Sequence, residues 1–259
     1  MGLLGSCKGR TTWVDKLIYI CIPAHNEEKT IGLLLWKIRN VMSSFARDYE
    51  ILVLDDASTD RTSQVLHTYR SKLPLRIIRK NEVVGNSAAL ELLLRETVVS
   101  TKYPKRDSAV TLQADFSENP EDIISLVSAI EGGSDIVAGS MKLPDSKFSI
   151  LKSIPRLLTE ILLGKVYHEA PVGDPFCGFR AYRLIVLKKA FNASKKRPLV
   201  TSKGWLANLE LLSVLAPHAR RVSEKDIDSG GQFEPLVSCS KIGTFSGIRR
   251  VRQEVVWGN

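Results

Sequence analysis

Three times within residues 1–130 a short apolar run ends among carboxylates and passes at once into a segment of helical period. A parallel α/β sheet accommodates that rhythm, and few other architectures do. The first run, Lys16-Leu17-Ile18-Tyr19-Ile20-Cys21-Ile22, meets Pro23 and then Ala24-His25-Asn26-Glu27-Glu28. The second, Glu50-Ile51-Leu52-Val53-Leu54, ends in Asp55-Asp56, and the third, Ser108-Ala109-Val110-Thr111-Leu112, leads to Gln113-Ala114-Asp115. Continuous rather than alternating apolar character suits strands buried on both faces. Pro23, with no N–H to give a ladder, is expected to break the first strand. Ile31, Leu34, Leu35, Ile38, Val41 and Met42 then recur at helical spacing. Further helices are predicted over about 61–69 and 86–99, with a strand over 75–79 between them. After Asp115, Asn119 suits a helix cap, Pro120 a first helical position, and Ile123, Ile124, Val127 and Ile130 one buried face. Right-handed crossovers gather such loops at one edge, so Asp115 stands where open α/β sheets bind ligands.

The 259 residues, 44% of them hydrophobic, suffice for one large α/β domain, read here as residues 15–225 between a tail (1–14) and a C-terminal loop with a basic tail (226–259). Net charge is +9, and it is unevenly spread: +1 over residues 1–130 and +8 over 131–259. The second half is therefore expected to meet something anionic, whether a phosphate, a membrane surface or nucleic acid. Taken singly, each lysine cluster reads as solvated surface. Cys7, Cys21, Cys177 and Cys239 are far apart and form no Cys-x-x-Cys pair, which argues for reduced structural thiols over zinc or redox chemistry. No apolar run approaches the roughly 20 residues a bilayer span needs, and the start lacks a signal peptide's apolar core. The expectation is a cytoplasmic protein, or one peripheral at the cytoplasmic face of a membrane. Met1-Gly2-Leu3-Leu4-Gly5-Ser6 fits an N-myristoylation pattern, with Cys7 as a second acylation position.

Neither Gly-x-Gly-x-x-Gly nor a Walker lysine motif occurs, which removes the usual dinucleotide and P-loop readings. Glu27, Asp55, Asp56 and Asp115 crowd the ligand edge instead. Carboxylates repel a diphosphate, so their work is to accept hydrogen bonds from a base and ribose or to hold a divalent cation. That combination describes a nucleotide-sugar site. In the second half, 135–140 reads as another strand, 150–166 as an amphipathic helix suited to core packing or a membrane surface, and 204–212 as a helix with an apolar majority. Asp174-Pro175-Phe176-Cys177-Gly178-Phe179-Arg180 sets a carboxylate, a turn and a guanidinium within one short stretch. Arg180 suits a two-pronged phosphate clamp, or a structural pair with Asp174.

Pro23-Ala24-His25-Asn26-Glu27-Glu28, Leu54-Asp55-Asp56-Ala57-Ser58-Thr59-Asp60, Gln113-Ala114-Asp115 and Asp174 through Arg180 resemble, in order, the motifs of family 2 glycosyltransferases with the GT-A fold. The resemblance is nearest to dolichol-phosphate mannose synthase and related polyprenyl-phosphate glycosyltransferases, and it covers roughly residues 15–225. It implies a single Rossmann-like domain, a mostly parallel sheet flanked by helices. By position, Pro23, His25 and Glu27 would line the nucleotide, Asp56 with Asp55 would contact the base, and Gln113 and Ala114 would complete the donor site. Asp115 would ligate Mg²⁺ or Mn²⁺, with Gln113 in the first acidic position of the Asp-x-Asp motif bringing a carbonyl but no charge. Lys142 and Lys241 would face phosphates. Asp174, Arg180 and Glu210 would stand on the catalytic and acceptor side, with Trp205 and Asn208 closing it.

The activity so implied is transfer of one sugar from GDP-mannose or a UDP-sugar to an acceptor, a polyprenyl phosphate by the nearest resemblance, through an inverting displacement. A soluble hydroxyl acceptor would call for Asp174 or Glu210 as base. A nucleotide-sugar-binding relative without turnover is the alternative that Gln113 suggests. A nucleic-acid binder would account for the basic second half, but no helix-turn-helix or RNA-recognition pattern supports it.

Overall fold

The computed structural model describes residues 16–141, 172–195, 197–204 and 206–228. Strand β1 (Leu17–Ala24) lies at the middle, pairing in parallel with β2 (Asp48–Asp56) on one side and β4 (Ser108–Thr111) on the other. It runs straight through Pro23, which keeps register with Leu54. The expected break does not occur, for a reason visible in the ladder. Leu112 N–H donates to the Cys21 carbonyl at 3.1 Å, so Cys21, and with it Pro23 two residues on, points toward β4. That strand has already ended at Thr111. The missing proline N–H therefore costs no bond.

The sheet has seven strands in the order β3-β2-β1-β4-β6-β5-β7, where β3 is Leu75–Lys80, β5 Ile136–Met141, β6 Arg180–Arg183 and β7 Val222–Ile227. Strand β6 alone runs against its neighbours β4 and β5, while β7 joins β5 in parallel. Four residues with arginine at both ends carry no strand signature, and the sequence pattern does not announce them. Strand β7 continues to Ile227, just past the expected domain limit. Glycine is required at position 139, where an added Cβ would lie 2.8 Å from Ile227 Cδ1 and 2.9 Å from the Phe179 carbonyl.

Strand residues alternate between two cores. Ile18, Ile20, Ile22, Ile51, Val53 and Val110 face α1 (Ile31–Ser44), α2 (Thr62–Arg70) and α4 (Asp122–Glu131). Tyr19, Cys21, Leu52, Leu54 and Ala109 face α3 (Asn86–Ser100), α5 (Leu184–Ala193) and α6 (Leu206–Leu215). At the edge opposite the carboxyl ends of β1 and β4, buried Asp135 binds Arg183 Nε at 3.0 Å and Arg220 Nε at 3.2 Å, joining β6 to the approach of β7. Burial pushes its carboxyl up, but hydrogen bonds from the Arg220 side chain and main chain and the two positive charges more than offset this, leaving it below the ordinary value.

Candidate active site

The loops at the carboxyl ends of β1 and β2 are zipped together by short polar side chains. Asn26 takes a left-handed conformation (φ 57°), which asparagine tolerates, and its Oδ1 accepts Thr59 N–H at 2.8 Å. Its own N–H donates to Ser58 Oγ at 3.0 Å, and Glu27 N–H donates to Thr62 Oγ1 at 2.8 Å. His25 Nδ1 donates to the Asp56 carbonyl at 2.6 Å, while Nε2 accepts from the Asn26 amide at 3.2 Å, an assignment set by the amide having only hydrogens to offer. Thr30 Oγ1 donates to Glu27 Oε2 at 2.7 Å. Burial nevertheless raises the Glu27 carboxyl above its ordinary value, with the charges of Asp115 and Asp60 adding to the effect.

The paired aspartates of β2 divide their work. Asp55 is wholly buried, accepts Ser58 N–H at 3.0 Å and meets Arg79 at 3.2 Å, so it braces the loop from beneath and does not reach the cleft where a base would lie. Asp56 faces the cleft, and its two oxygens accept Val84 N–H and Gly85 N–H, each at 2.8 Å. That carboxylate holds the turn into α3, where Gly85 (φ 89°) supplies a conformation that other residues resist.

Beyond β4 the chain makes a tight loop. Phe116 is left-handed (φ 62°), Ser117 N–H donates to Asp115 Oδ1 at 3.0 Å, and Gln113 N–H donates to Glu118 Oε2 at 2.8 Å. Asp115 is exposed at the tip, whereas Glu118 is buried. Burial pushes the Glu118 carboxyl up to about 8, the Asp115 charge adding to the rise and the Gln113 N–H opposing it. A cleft of about 210 Å³ opens between these loops, lined by Pro23, His25, Glu27 and Asp56 on one side and Gln113, Ala114 and Asp115 on the other. Ala24, Asn86 and Ala89 complete it. The structure thus gathers every donor residue expected from the motifs except Asp55. Asn86 and Ala89 enter through the first turns of α3, where helical period marks core and gives no sign of a ligand wall.

On the far side of Gln113 the residues expected on the catalytic and acceptor side are engaged with the protein's own main chain. Arg180 is wholly buried, and its guanidinium donates to the main-chain carbonyls of Asn208 and Pro175, each at 2.6 Å. It ties the turn before β6 to α6 and offers no exposed fork to a phosphate. Glu210 is likewise committed, accepting Thr201 N–H at 3.0 Å, Ser202 N–H at 2.8 Å and Thr201 Oγ1–H at 2.9 Å. Glu91, which no motif flags, takes the two preceding amides, Leu199 N–H at 2.9 Å and Val200 N–H at 3.1 Å. Two buried carboxylates therefore clasp four consecutive amides. Asp174 accepts Phe176 N–H at 3.1 Å and Cys177 N–H at 3.2 Å, a turn-forming role, and burial raises its carboxyl despite those bonds and the Arg180 charge. Gly178 packs between Asn208 and Gln113, its would-be Cβ only 3.1 Å and 3.3 Å from their side-chain nitrogens. Lys142, Lys241, Trp205, the 150–166 segment, the myristoylation pattern and the basic tail lie outside the described residues.

Among the described residues no three His, Cys, Asp or Glu side chains cluster into a self-sufficient metal cage. The donor set at the loop tip still fits Mg²⁺ or Mn²⁺ of the kind that binds with its substrate: an exposed carboxylate at Asp115 and an amide carbonyl at Gln113, both on the cleft wall.

An open, mostly parallel sheet with a cleft over its carboxyl edge, and acidic side chains converging there, defines a protein of the GT-A class. The profile of Glycosyl transferase family 2 matches residues 19–191, and the chain belongs to that family. Dolichol-phosphate mannosyltransferase from Pyrococcus furiosus is 30% identical over 175 residues, 66% of this chain and 47% of that one. An undecaprenyl-phosphate 4-deoxy-4-formamido-L-arabinose transferase from Edwardsiella ictaluri is 25% identical over 80% of this chain and 61% of that one. The chain therefore spans about half to three-fifths of the length of these relatives. Crystal structures of glucosyl-3-phosphoglycerate synthase from Mycobacterium tuberculosis share the fold at 18% identity, with a TM-score of 0.61 in complex with UDP over 94% of this chain and 80% of that one. With Mn²⁺, UDP and glucosyl-3-phosphoglycerate bound, the score is 0.59 over 94% and 79%.

Proposed function

We propose that this chain transfers a sugar from a nucleoside-diphosphate sugar to a polyprenyl phosphate at a membrane surface. One observation carries the reading: Pro23, His25, Glu27, Asp56, Gln113, Ala114 and Asp115, drawn from three separate motifs, line a single cleft at the carboxyl ends of β1, β2 and β4. The relatives named for lipid-phosphate acceptors support the acceptor class, and the UDP and Mn²⁺ complexes of the fold neighbour support the donor class and the metal.

In this mechanism His25, Glu27 and Asp56 bind the nucleoside, with Asp56 also fixing the turn into α3. Asp115 and Gln113 would hold Mg²⁺ or Mn²⁺, which supplies positive charge against that of a departing diphosphate. An acceptor phosphate oxygen attacks the anomeric carbon from the side opposite the diphosphate, the bond to the diphosphate breaks with its electron pair, and configuration inverts. A phosphate acceptor is ionised at neutral pH, so no base is required, in keeping with Glu210 and Asp174 being engaged in main-chain hydrogen bonds. By the family resemblance Lys142 and Lys241 would supply cations to the phosphates, and the +8 charge of residues 131–259 favours an anionic membrane surface. Among the described residues no helix is long and apolar enough to cross a membrane. Gln113 also supports a second reading, a nucleotide-sugar-binding relative that does not turn over, because a neutral ligand weakens a metal site.

The test is transfer from a panel of GDP- and UDP-sugars to polyprenyl phosphate and to soluble hydroxyl acceptors, with wild type and Asp115→Asn. Metal-dependent lipid product that Asp115→Asn lowers by about 100-fold or more supports the proposal. Donor binding without product selects the second reading. Product on hydroxyls alone overturns the acceptor, and an Asp115→Asn variant with wild-type rate overturns the metal assignment.

A further inference from the structure

We infer that Glu118 is a positioning residue for the metal and diphosphate end of the cleft, acting through the main chain of Gln113. The inference rests on the nucleotide-sugar reading and goes beyond it, since no motif assigns Glu118 a role. Leu112 N–H makes the last ladder bond of β4, to Cys21 O at 3.1 Å. The next amide, Gln113 N–H, instead finds the Glu118 carboxylate at 2.8 Å. This bond closes the loop on itself, and the loop carries both proposed ligands. Its other side-chain hydrogen bond is local, Ser117 N–H on Asp115 Oδ1 at 3.0 Å, while Ala114 and the left-handed Phe116 pack against the core. Glu118 is 4% exposed, whereas Asp115 stands in solvent. A buried carboxyl group is costly to keep, and here it accepts one amide beside the reacting end of the cleft. The Gln113 side chain lies against Gly178, where an added Cβ would come within 3.3 Å of its nitrogen. Removing the acceptor releases the main chain at Gln113 and with it the separation between the Gln113 carbonyl and the Asp115 carboxylate.

The variants are Glu118→Gln, which keeps a carbonyl oxygen for Gln113 N–H, Glu118→Ala, which removes it, and Glu118→Asp, which keeps the carboxyl group one methylene short. The readouts are Mn²⁺ binding by electron paramagnetic resonance with GDP or UDP present, nucleotide binding in EDTA, and hydrogen exchange of the Gln113 amide. Glu118→Ala and Glu118→Asp should weaken Mn²⁺ binding about 10–100-fold, speed Gln113 exchange, and leave nucleotide binding in EDTA near wild type. Glu118→Gln should restore all three. Wild-type Mn²⁺ affinity in Glu118→Asp, or an equal loss in Glu118→Gln, overturns the inference while the nucleotide-sugar reading stands. A wild-type protein that binds neither nucleotide nor Mn²⁺ overturns both. Should Glu118→Ala not fold, the Asp and Gln pair decides the question alone.

Discussion

Replacing Glu210 separates a carboxylate that holds a loop from one that takes a proton. Its two oxygens accept two main-chain amides and one hydroxyl from Thr201 and Ser202. Each hydrogen bond to a charged group contributes about 1.5–3 kcal/mol, but Thr201 lies at the surface, where water replaces part of the loss. We place Glu210→Ala at about 2–4 kcal/mol of destabilisation, or about 5–15 °C in Tm for a chain of this size. Glu210→Gln differs in kind. A glutamine carbonyl in place of Oε2 retains both amides, its NH₂ group faces Thr201 Oγ1, and that hydroxyl turns from donor to acceptor. The cost should stay near 1 kcal/mol, with sugar transfer within about threefold of wild type. Urea denaturation followed by fluorescence, run beside the transfer assay, reads both quantities. A Glu210→Gln protein with unchanged stability and transfer reduced more than 100-fold would refute the reasoning and return the carboxylate to the chemistry.

Other outcomes follow from the same geometry. Asp56→Ala should weaken binding of the nucleotide in calorimetric titration and also lower stability by about 1–3 kcal/mol, because Val84 and Gly85 lose their acceptor; unchanged affinity would make its role purely structural. Asp135 has a folded pKa below its unfolded value, so its contribution is present above about pH 4 and fades as pH falls through the folded value. Asp135→Asn should lower stability at pH 7 and flatten the acid limb of the stability curve, and an unaltered limb would count against the Arg183 and Arg220 pairing. Gly139→Ala should destabilise by about 1–3 kcal/mol in urea, since its Cβ would press on Ile227 and the Phe179 carbonyl; a neutral result would mean that β5 and β7 separate easily.

The first half of the chain was legible because burial on both faces leaves continuous apolar runs in β1, β2 and β4, and because α1 and α4 keep a helical period. Pro23, His25, Glu27, Asp56, Gln113, Ala114 and Asp115 share one cleft for the same reason: strand ends fix where the loops sit. Arg180, Asp55 and Glu210 have structural partners that their motifs do not reveal, because a charged side chain in a sequence looks the same whether it faces a ligand or the protein's own groups. Only burial separates the two cases, and burial depends on partners far away in sequence, as with Arg180 on Asn208. Pro23 misled in the opposite sense, since a break requires a neighbour that wants its N–H, and β4 stops short. Glu91 and Glu118 carried no signal, because their partners are amides that any residue type presents.

The reversed direction of β6 bears on how such a protein changes over time. Ala138 and Arg180 are paired on neighbouring antiparallel strands, so the start of β6 is fixed by the ladder. The Arg180 guanidinium also holds the Pro175 carbonyl, and Asp174 caps the turn between them. An insertion between Asp174 and Arg180 would pull a buried cation off its acceptor, so lineages of this protein should keep that spacing fixed.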